Sequence, residues 1–488
     1  MKVILCLLAL LFVFNPGQAQ AVGVPKSPTP NVVFILADDL GWRDLSCYGS
    51  PFCETPHIYR LAREGLRFTQ AYTAGAVCSP TRGSIMTGKY PVRTGVTDYI
   101  PGLKKPNEKL LTVPTKTELA LAEVTIGEAL QSRGYQTFYA GKWHLGGKGF
   151  EPSDQGFEGY VSDGQLGNHG NDWKVGERLT DAALKFLDER RGDKPFFMYL
   201  GFHEPHTPIL RYPQHIERFE AKTAKLPPAS KESTPEHDGQ NRARQDDAAY
   251  GSEVAGLDEQ VGRILAKLDA SQLAENTIVI FFSDNGGLSV KATPGPTNND
   301  PLRAGKGWLY EGGIRVPLII RAPGLTRPAT ECNVPVISTD FYPTLLELVG
   351  APLQPQQHRD GVSLASLLRG GSTLDRQTLY WHYPHYHGST WAPGAALRDG
   401  DWKLIELAHY EQVELYNLAD DLSERHDLSK RHPEKKQALL AKLHAWQKAT
   451  GANLPKPNPD ANPTAQETKV KKKFKKKQRN NAQVEDTP

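Results

Sequence analysis

Residues 31–37 (NVVFILA) form an almost unbroken apolar run that stops at two adjacent acids, Asp38 and Asp39. Such a run predicts a strand buried on both faces. The pattern returns along the chain. Residues 136–140 lead into Gly141-Lys142-Trp143-His144, residues 195–202 into His203-Glu204-Pro205-His206, and residues 277–283 into Asp284-Asn285. A further apolar strand is expected over 316–321. Between these runs the apolar spacing is helical over 56–65, 177–191 and 245–268. A helix over 125–133 takes Thr125 as its N-cap and Gly134 as its stop. Residues 225–244 are polar and proline-containing, which predicts an exposed excursion.

Strands that alternate with helices predict parallel pairing in a layered α/β sheet. Ligands of such sheets collect beyond the carboxyl ends of the strands. Asp38, Asp39, Lys142, His144, His203, Asp284 and Asn285 all sit at that position. After Arg376 the texture changes to short strands over 379–383, 395–397, 402–407 and 413–416, then a helix over 433–450. This predicts a small antiparallel sheet with one helix laid on it. From Ala452 onward proline, asparagine and lysine dominate, and a disordered tail is expected.

One segment brings reactive chemistry to this frame: Cys78-Ser79-Pro80-Thr81-Arg82-Gly83. Pro80 suits a first helical turn, so Cys78 should lie at or just before a helix N-terminus. Unpaired N–H groups and the helix dipole favour an anion there. Arg82, four residues on, shares the face of Cys78. A nucleophile and a fixed cation at an anion-seeking helix end point to a sulfate or phosphate ester. Asp38, Asp39, Asp284 and Asn285 are hard oxygen donors with no convergent His or Cys set, which selects Ca²⁺ or Mg²⁺ over zinc. Lys142, His144, His203 and Lys306 can close the site with cations and proton donors.

Composition narrows the setting. The 488 residues are 39% hydrophobic and 23% charged, as in a globular protein. The net charge of +3 hides an asymmetry, because eight Lys and Arg residues crowd 469–479 and leave the rest net acidic. That basic run can attract polyanions, but Phe474 alone is no stacking platform for nucleic acid. Lys2, the apolar residues 3–14 and Ala19-Gln20-Ala21 read as an export signal over 1–21. No later run is long enough to span a bilayer. An exported protein, periplasmic or extracellular and of bacterial type, is expected. Five cysteines show no zinc spacing, and Cys47 and Cys53 are equally compatible with a bridge or with two free thiols.

The blocks Cys78 to Gly83, Ala140 to Gly146, Ser283 to Gly287 and Leu302 to Gly313 resemble, in order, the signatures of the type I, formylglycine-dependent sulfatases. The resemblance implies an alkaline-phosphatase-like sandwich: a large mixed, mostly parallel sheet flanked by helices, plus the small C-terminal antiparallel sheet. It implies that a maturation enzyme oxidises Cys78 to Cα-formylglycine, whose hydrate attacks sulfur. It further implies Ca²⁺ held by Asp38, Asp39, Asp284, Asn285 and the modified Cys78. Arg82 and Lys142 would hold the hydrate and His144 would help expel sulfate. Lys142, His203 and Lys306 would contact sulfate oxygens. The expected organisation is a signal over 1–21, a catalytic domain over 22–375, a smaller unit over 376–451 and a tail over 452–488. His206, His169 and Trp308, with Asn168, Asp172, Trp173 and residues 381–387, are candidates for an outer pocket that takes a sulfated carbohydrate. The rival readings are a phosphate or phosphonate monoester hydrolase on the same fold and a secreted polyanion-binding protein.

Overall fold

The strand Asn31–Ala37 lies near the centre of a nine-stranded sheet, paired in parallel with Phe196–Gly201 on one side and Thr277–Ser283 on the other. The computed structural model describes residues 29–461 apart from residue 193. All seven residues of the strand are buried, and they alternate between two cores as the pleat requires. Val32, Phe34 and Leu36 enter one core, Val33, Ile35 and Ala37 the other. Beyond Phe196–Gly201 the sheet continues in parallel through Gln136–Gly141 to Gly159–Ser162. Helices cover both faces. Ala248–Ala270 and Val175–Glu189 pack on one, Phe341–Leu348 and Ile126–Gln131 on the other.

Arg315–Arg321 breaks the parallel pattern and runs antiparallel to both neighbours, Thr277–Ser283 and Leu66–Tyr72. The cause is the path of the chain. It leaves Thr277–Ser283 at the carboxyl end, stays there through the short helix Glu311–Ile314, and has only the return direction left. The residues expected to cap a helix at Thr125 do so. The Thr125 hydroxyl accepts the Glu128 N–H while the Glu128 carboxylate takes the Thr125 N–H.

The strands Thr378–Tyr383, Gly394–Asp399, Trp402–Leu407 and Gln412–Asn417 form the separate antiparallel sheet. Helix Pro433–Thr450 covers one face of it through Leu439 and Leu443. The other face joins Tyr72, Trp308 and Tyr310 in a shared core.

Two expectations need correction. Residues 225–244 are not a bare excursion, because Ser233–Glu236 and Gly239–Arg242 form a hairpin that pairs with Val290–Lys291. Its alternation is too short and too polar to stand out in the sequence. The tail does not begin at 452. Leu111 donates its N–H to the Lys456 carbonyl, and Asn458 donates to the carbonyls of Lys109, Pro106 and Glu108. Backbone pairing satisfies this polar stretch where apolar content could not. The export signal and the basic run at 469–479 lie outside the described residues.

Candidate active site

The strand ends deliver their polar residues to one place. Helix Cys78–Thr87 starts there and is buried throughout, with Cys78 as its first residue. Pro80 falls in the first turn, where its missing N–H has no partner to lose. The Cys78 thiol lies 3.4 Å from Asp38 Oδ1 and 3.6 Å from Lys142 Nζ. Burial, then the neighbouring Asp38, pushes that thiol up to about 12. As a plain cysteine it stays protonated at neutral pH and is a poor nucleophile.

Around it the charges interlock. Burial alone would raise the Asp38 carboxyl, but Lys142, with His206, Arg82 and Lys306, holds it well below the usual carboxylate range. Lys142 pairs with Asp38, and Lys306 Nζ reaches Asp39 at 2.7 Å. Burial works against both lysines, and the aspartates outweigh it and hold them charged. Arg82 donates to Asp284 Oδ2 from Nε at 3.0 Å and Nη2 at 2.8 Å, and to the Lys142 carbonyl from Nη1. Burial and the repulsion of Asp38 raise Asp284 to about 7.

The backbone is strained at the same spot. Asp39, His144 and Ala304 have φ of 65°, 56° and 58°, a region costly for side chains other than glycine. Gly286 is needed for packing, since a Cβ there would lie 1.8 Å from the Gly312 carbonyl oxygen.

The carboxylates of Asp38 and Asp39 and the amide oxygen of Asn285 suit a hard divalent cation, although the four donors that converge most closely include a sulfur and a nitrogen. Donor atoms of Asp38, Asp39, Cys78 and His206 lie within 4.8 Å of one another. Asn285 sends its Nδ2 to Asp39 Oδ1 at 2.8 Å, while its own Oδ1 is buried without a partner. Such an orphaned buried acceptor is costly unless something positive meets it. Asp284 is more committed than expected, with Oδ1 accepting the Asp39 N–H and Oδ2 accepting Arg82.

His144 and His206 open onto a cavity of about 740 Å³ that Cys78, Lys142 and Lys306 also line. His144 Nε2 lies 2.6 Å from the Ile100 carbonyl, which can only accept, so that nitrogen carries the proton. Burial, then Lys142, lowers His144 well below its ordinary range, leaving a neutral ring with a buried, unpartnered Nδ1.

Of the two loop histidines, the central one is His206, not His203 as expected. His206 Nε2 is 3.7 Å from Asp39 Oδ2, whereas His203 turns outward to Asp163 at 3.1 Å and stacks on His169. A turn closes between them, with the His206 N–H donating to the His203 carbonyl, and sends the two rings apart. His203 remains in the pocket wall with His169 and Asn168. Trp308 does not. It is fully buried, donates to the Ser389 carbonyl and packs edge-on to Trp391. Trp381 is likewise core, Asp172 pairs with Arg178, and Trp173 packs on Tyr212. Cys47 and Cys53 are free thiols.

Sequence reasoning missed Asp163, Tyr99, Lys291 and Ser389, which also line the pocket. Asp163 follows the strand Gly159–Ser162 directly, so the strand-end rule would have found it had that four-residue strand been recognised. Ser389 comes from the C-terminal sheet, whose docking no local pattern reveals.

A mostly parallel sheet with a buried cysteine, paired carboxylates and three fixed cations at its carboxyl edge defines an alkaline-phosphatase-like hydrolase of anionic esters. Comparison with known proteins narrows the class. Residues 30–351 match the Sulfatase family, and residues 304–449 match N-sulphoglucosamine sulphohydrolase, C-terminal. The chain is 33% identical to a sulfatase of Formosa agariphila over 86% of this chain and 88% of that one. It is 34% identical to arylsulfatase A of Homo sapiens over 75% and 73%. The solved structure of Ps i-CgsB in complex with k-i-k-neocarrahexaose superposes with a TM-score of 0.71 at 27% identity, covering 86% of this chain and 92% of that one. The chain belongs to the sulfatase family and is a sulfuric ester hydrolase.

Proposed function

We propose that this protein is an exported sulfatase that cleaves a sulfate ester of a carbohydrate, with a Cα-formylglycine made from Cys78 as nucleophile and Ca²⁺ as its metal. The observation that carries the reading is Cys78 at the start of a buried helix, beside Asp38 and Lys142, with its thiol pushed to about 12. A residue so placed has little use as a thiol and fits one awaiting conversion by a maturation enzyme. The converted residue would supply an aldehyde hydrate with two hydroxyls. Ca²⁺, held by Asp38, Asp39, Asp284 and Asn285, would supply positive charge to the sulfate oxygens and the nucleophile; Mg²⁺ is the lesser candidate.

This chain's own residues do the rest. Arg82 and Lys142 bracket the helix start and fix the nucleophile. Asp284, close enough for its charge to be felt at Cys78, can take the proton that the attacking hydroxyl gives up. His144 Nδ1, neutral and unpartnered, can take the second proton when sulfate is expelled. Lys142, Lys306 and His206 face the sulfate oxygens and stabilise charge built up in transit. His206 is lowered to about 4 by burial and Lys306, and a bound sulfate would raise it again, making it and Lys306 the donors within reach of the leaving oxygen.

The carbohydrate substrate is supported by the saccharide bound to Ps i-CgsB and by the size of the cavity, whose wall includes Asn168, His169 and Ser389. Export rests on residues 1–21; among the described residues no helix is long and apolar enough to cross a membrane. The catalytic unit is assigned to 22–375 and the smaller unit to 376–451, and the basic run over 469–479 is a candidate for binding polyanions.

The test is kcat/KM on matched aryl sulfate and aryl phosphate with protein co-expressed with a maturase. A clear preference for sulfate is expected. A preference for phosphate, or for a phosphonate monoester, would move the chain to the rival hydrolase class.

A further inference from the structure

Three lysines line the pocket: Lys142, Lys306 and Lys291. Two are spoken for by Asp38 and Asp39. Lys291 has no carboxylate within 4.0 Å among the described residues. Asp163, the one acid among the described lining residues, sits 3.1 Å from His203 with no hydrogen bond between the two atoms.

Lys291 is also held firmly. It ends the strand Val290–Lys291, which pairs with Gln240 and Asn241 of the hairpin. The N–H groups of Arg242 and Gly295 both donate to the Ser289 carbonyl just before it. A Cβ at Gly239 would meet Val290 Cγ1 at 2.6 Å and Thr390 Oγ1 at 2.4 Å, so the hairpin is wedged between this strand and the loop that carries Gly388 and Ser389. The backbone of Lys291 is thus pinned on the pocket wall, near Leu288 on one side and the C-terminal loop on the other.

We propose that Lys291 reads a second anionic group on the substrate, so that the preferred substrate is a polyanionic saccharide rather than a singly charged ester. The inference rests on the sulfatase reading above. A sulfate at the centre meets the other two lysines and leaves this ammonium unanswered. A sulfate or carboxylate on the adjoining sugar would meet it in a hydrogen bond between opposite charges, stronger than the one a neutral hydroxyl offers. In a concave wall the field of an unpaired cation is less screened than on open surface. The selectivity is a difference between substrates, not a gain for all.

The experiment uses three disaccharides with the same scissile sulfate, whose adjoining sugar is neutral, sulfated or a uronate. Aryl sulfate serves as the singly charged reference. Wild-type protein should favour a doubly charged disaccharide over the neutral one by roughly tenfold or more in kcat/KM. Lys291→Ala should erase that preference mainly through KM, Lys291→Arg should retain most of it, and added salt should shrink it. Which disaccharide gains identifies the anion as sulfate or carboxylate. Equal kcat/KM on all three with normal aryl-sulfate turnover, or a preference that survives Lys291→Ala, overturns the proposal and leaves the sulfatase reading standing. Failure of fully converted protein on all four substrates removes both.

Discussion

At the scale of single residues, the proposed function rests on side chains whose ordinary chemistry has been displaced by their surroundings. Cys78 is too well buried to ionise, and Lys142 and Lys306 are held charged by the aspartates beside them. Cys78→Ala should therefore abolish aryl-sulfate turnover while circular dichroism and melting stay near wild type. Retained turnover would exclude Cys78 as the nucleophile. Lys306→Ala should lower kcat/KM by about a hundredfold or more, or ~2.7 kcal/mol, as for other lost transition-state donors. His206→Ala should cost about as much and His203→Ala at least tenfold less; the opposite order would restore the outer histidine to the centre. A titrating residue outside the catalytic set offers a separate check. Burial raises Asp98 from its ordinary 3.8 to about 6. The folded state then holds a proton the unfolded state releases, so this group's contribution is full below pH 3.8 and declines as pH rises toward 6. Relative to Asp98→Asn, wild-type unfolding free energy should fall by about 2–3 kcal/mol between pH 4 and 7 in denaturant titrations. A constant difference would contradict it. Most central residues were legible because each follows an apolar strand directly. The choice between His203 and His206 was not, since it depends on a turn that two histidines three residues apart do not encode.

At the scale of elements, what could be read from sequence tracks how far the apolar signal extends. Asn31–Ala37 and Thr277–Ser283 have strong apolar patterns and fall where expected; Pro433–Thr450 also does, on its opening proline and its run of good helix formers rather than on an apolar face. The hairpin over 233–242 and the four-residue strand Gly159–Ser162 carry almost no such signal, and their pairing is decided by neighbours distant in sequence. The small helix Glu311–Ile314 shows the same limit. Lys403 of Trp402–Leu407 is fully buried and reaches Glu311 and Glu424 at 2.8 Å each, tying the C-terminal sheet to the segment that follows Lys306. Nothing local in the sequence marks that lysine as buried. Lys403→Met removes the cation shared by two buried carboxylates, leaving Glu311 with Arg315 and Glu424 without a cation partner, and should cost about 3–5 kcal/mol of stability by chemical denaturation. A loss under ~1 kcal/mol would mean that the ion triad is not holding the two sheets together.

At the scale of the whole molecule, the pocket is a joint product of the catalytic sheet and the C-terminal sheet, which adds His387, Gly388 and Ser389 to its wall. The chain beyond helix Pro433–Thr450 reinforces that union by pairing near Leu110 and Asn458. Truncation after Ala461 should leave the melting temperature unchanged, whereas truncation after Gly451 should lower it; equal melting would mean that the pairing contributes nothing. The central claim, however, concerns one side chain. The most direct test is the mass of the tryptic peptide from Phe68 to Arg82, measured with aryl-sulfate turnover on the same preparations at graded maturase co-expression. The expected peptide is one in which the CH₂SH of Cys78 has become CHO, with activity proportional to the converted fraction. Full activity in protein whose Cys78 remains a thiol, or full conversion without hydrolysis of any sulfate ester, would contradict it.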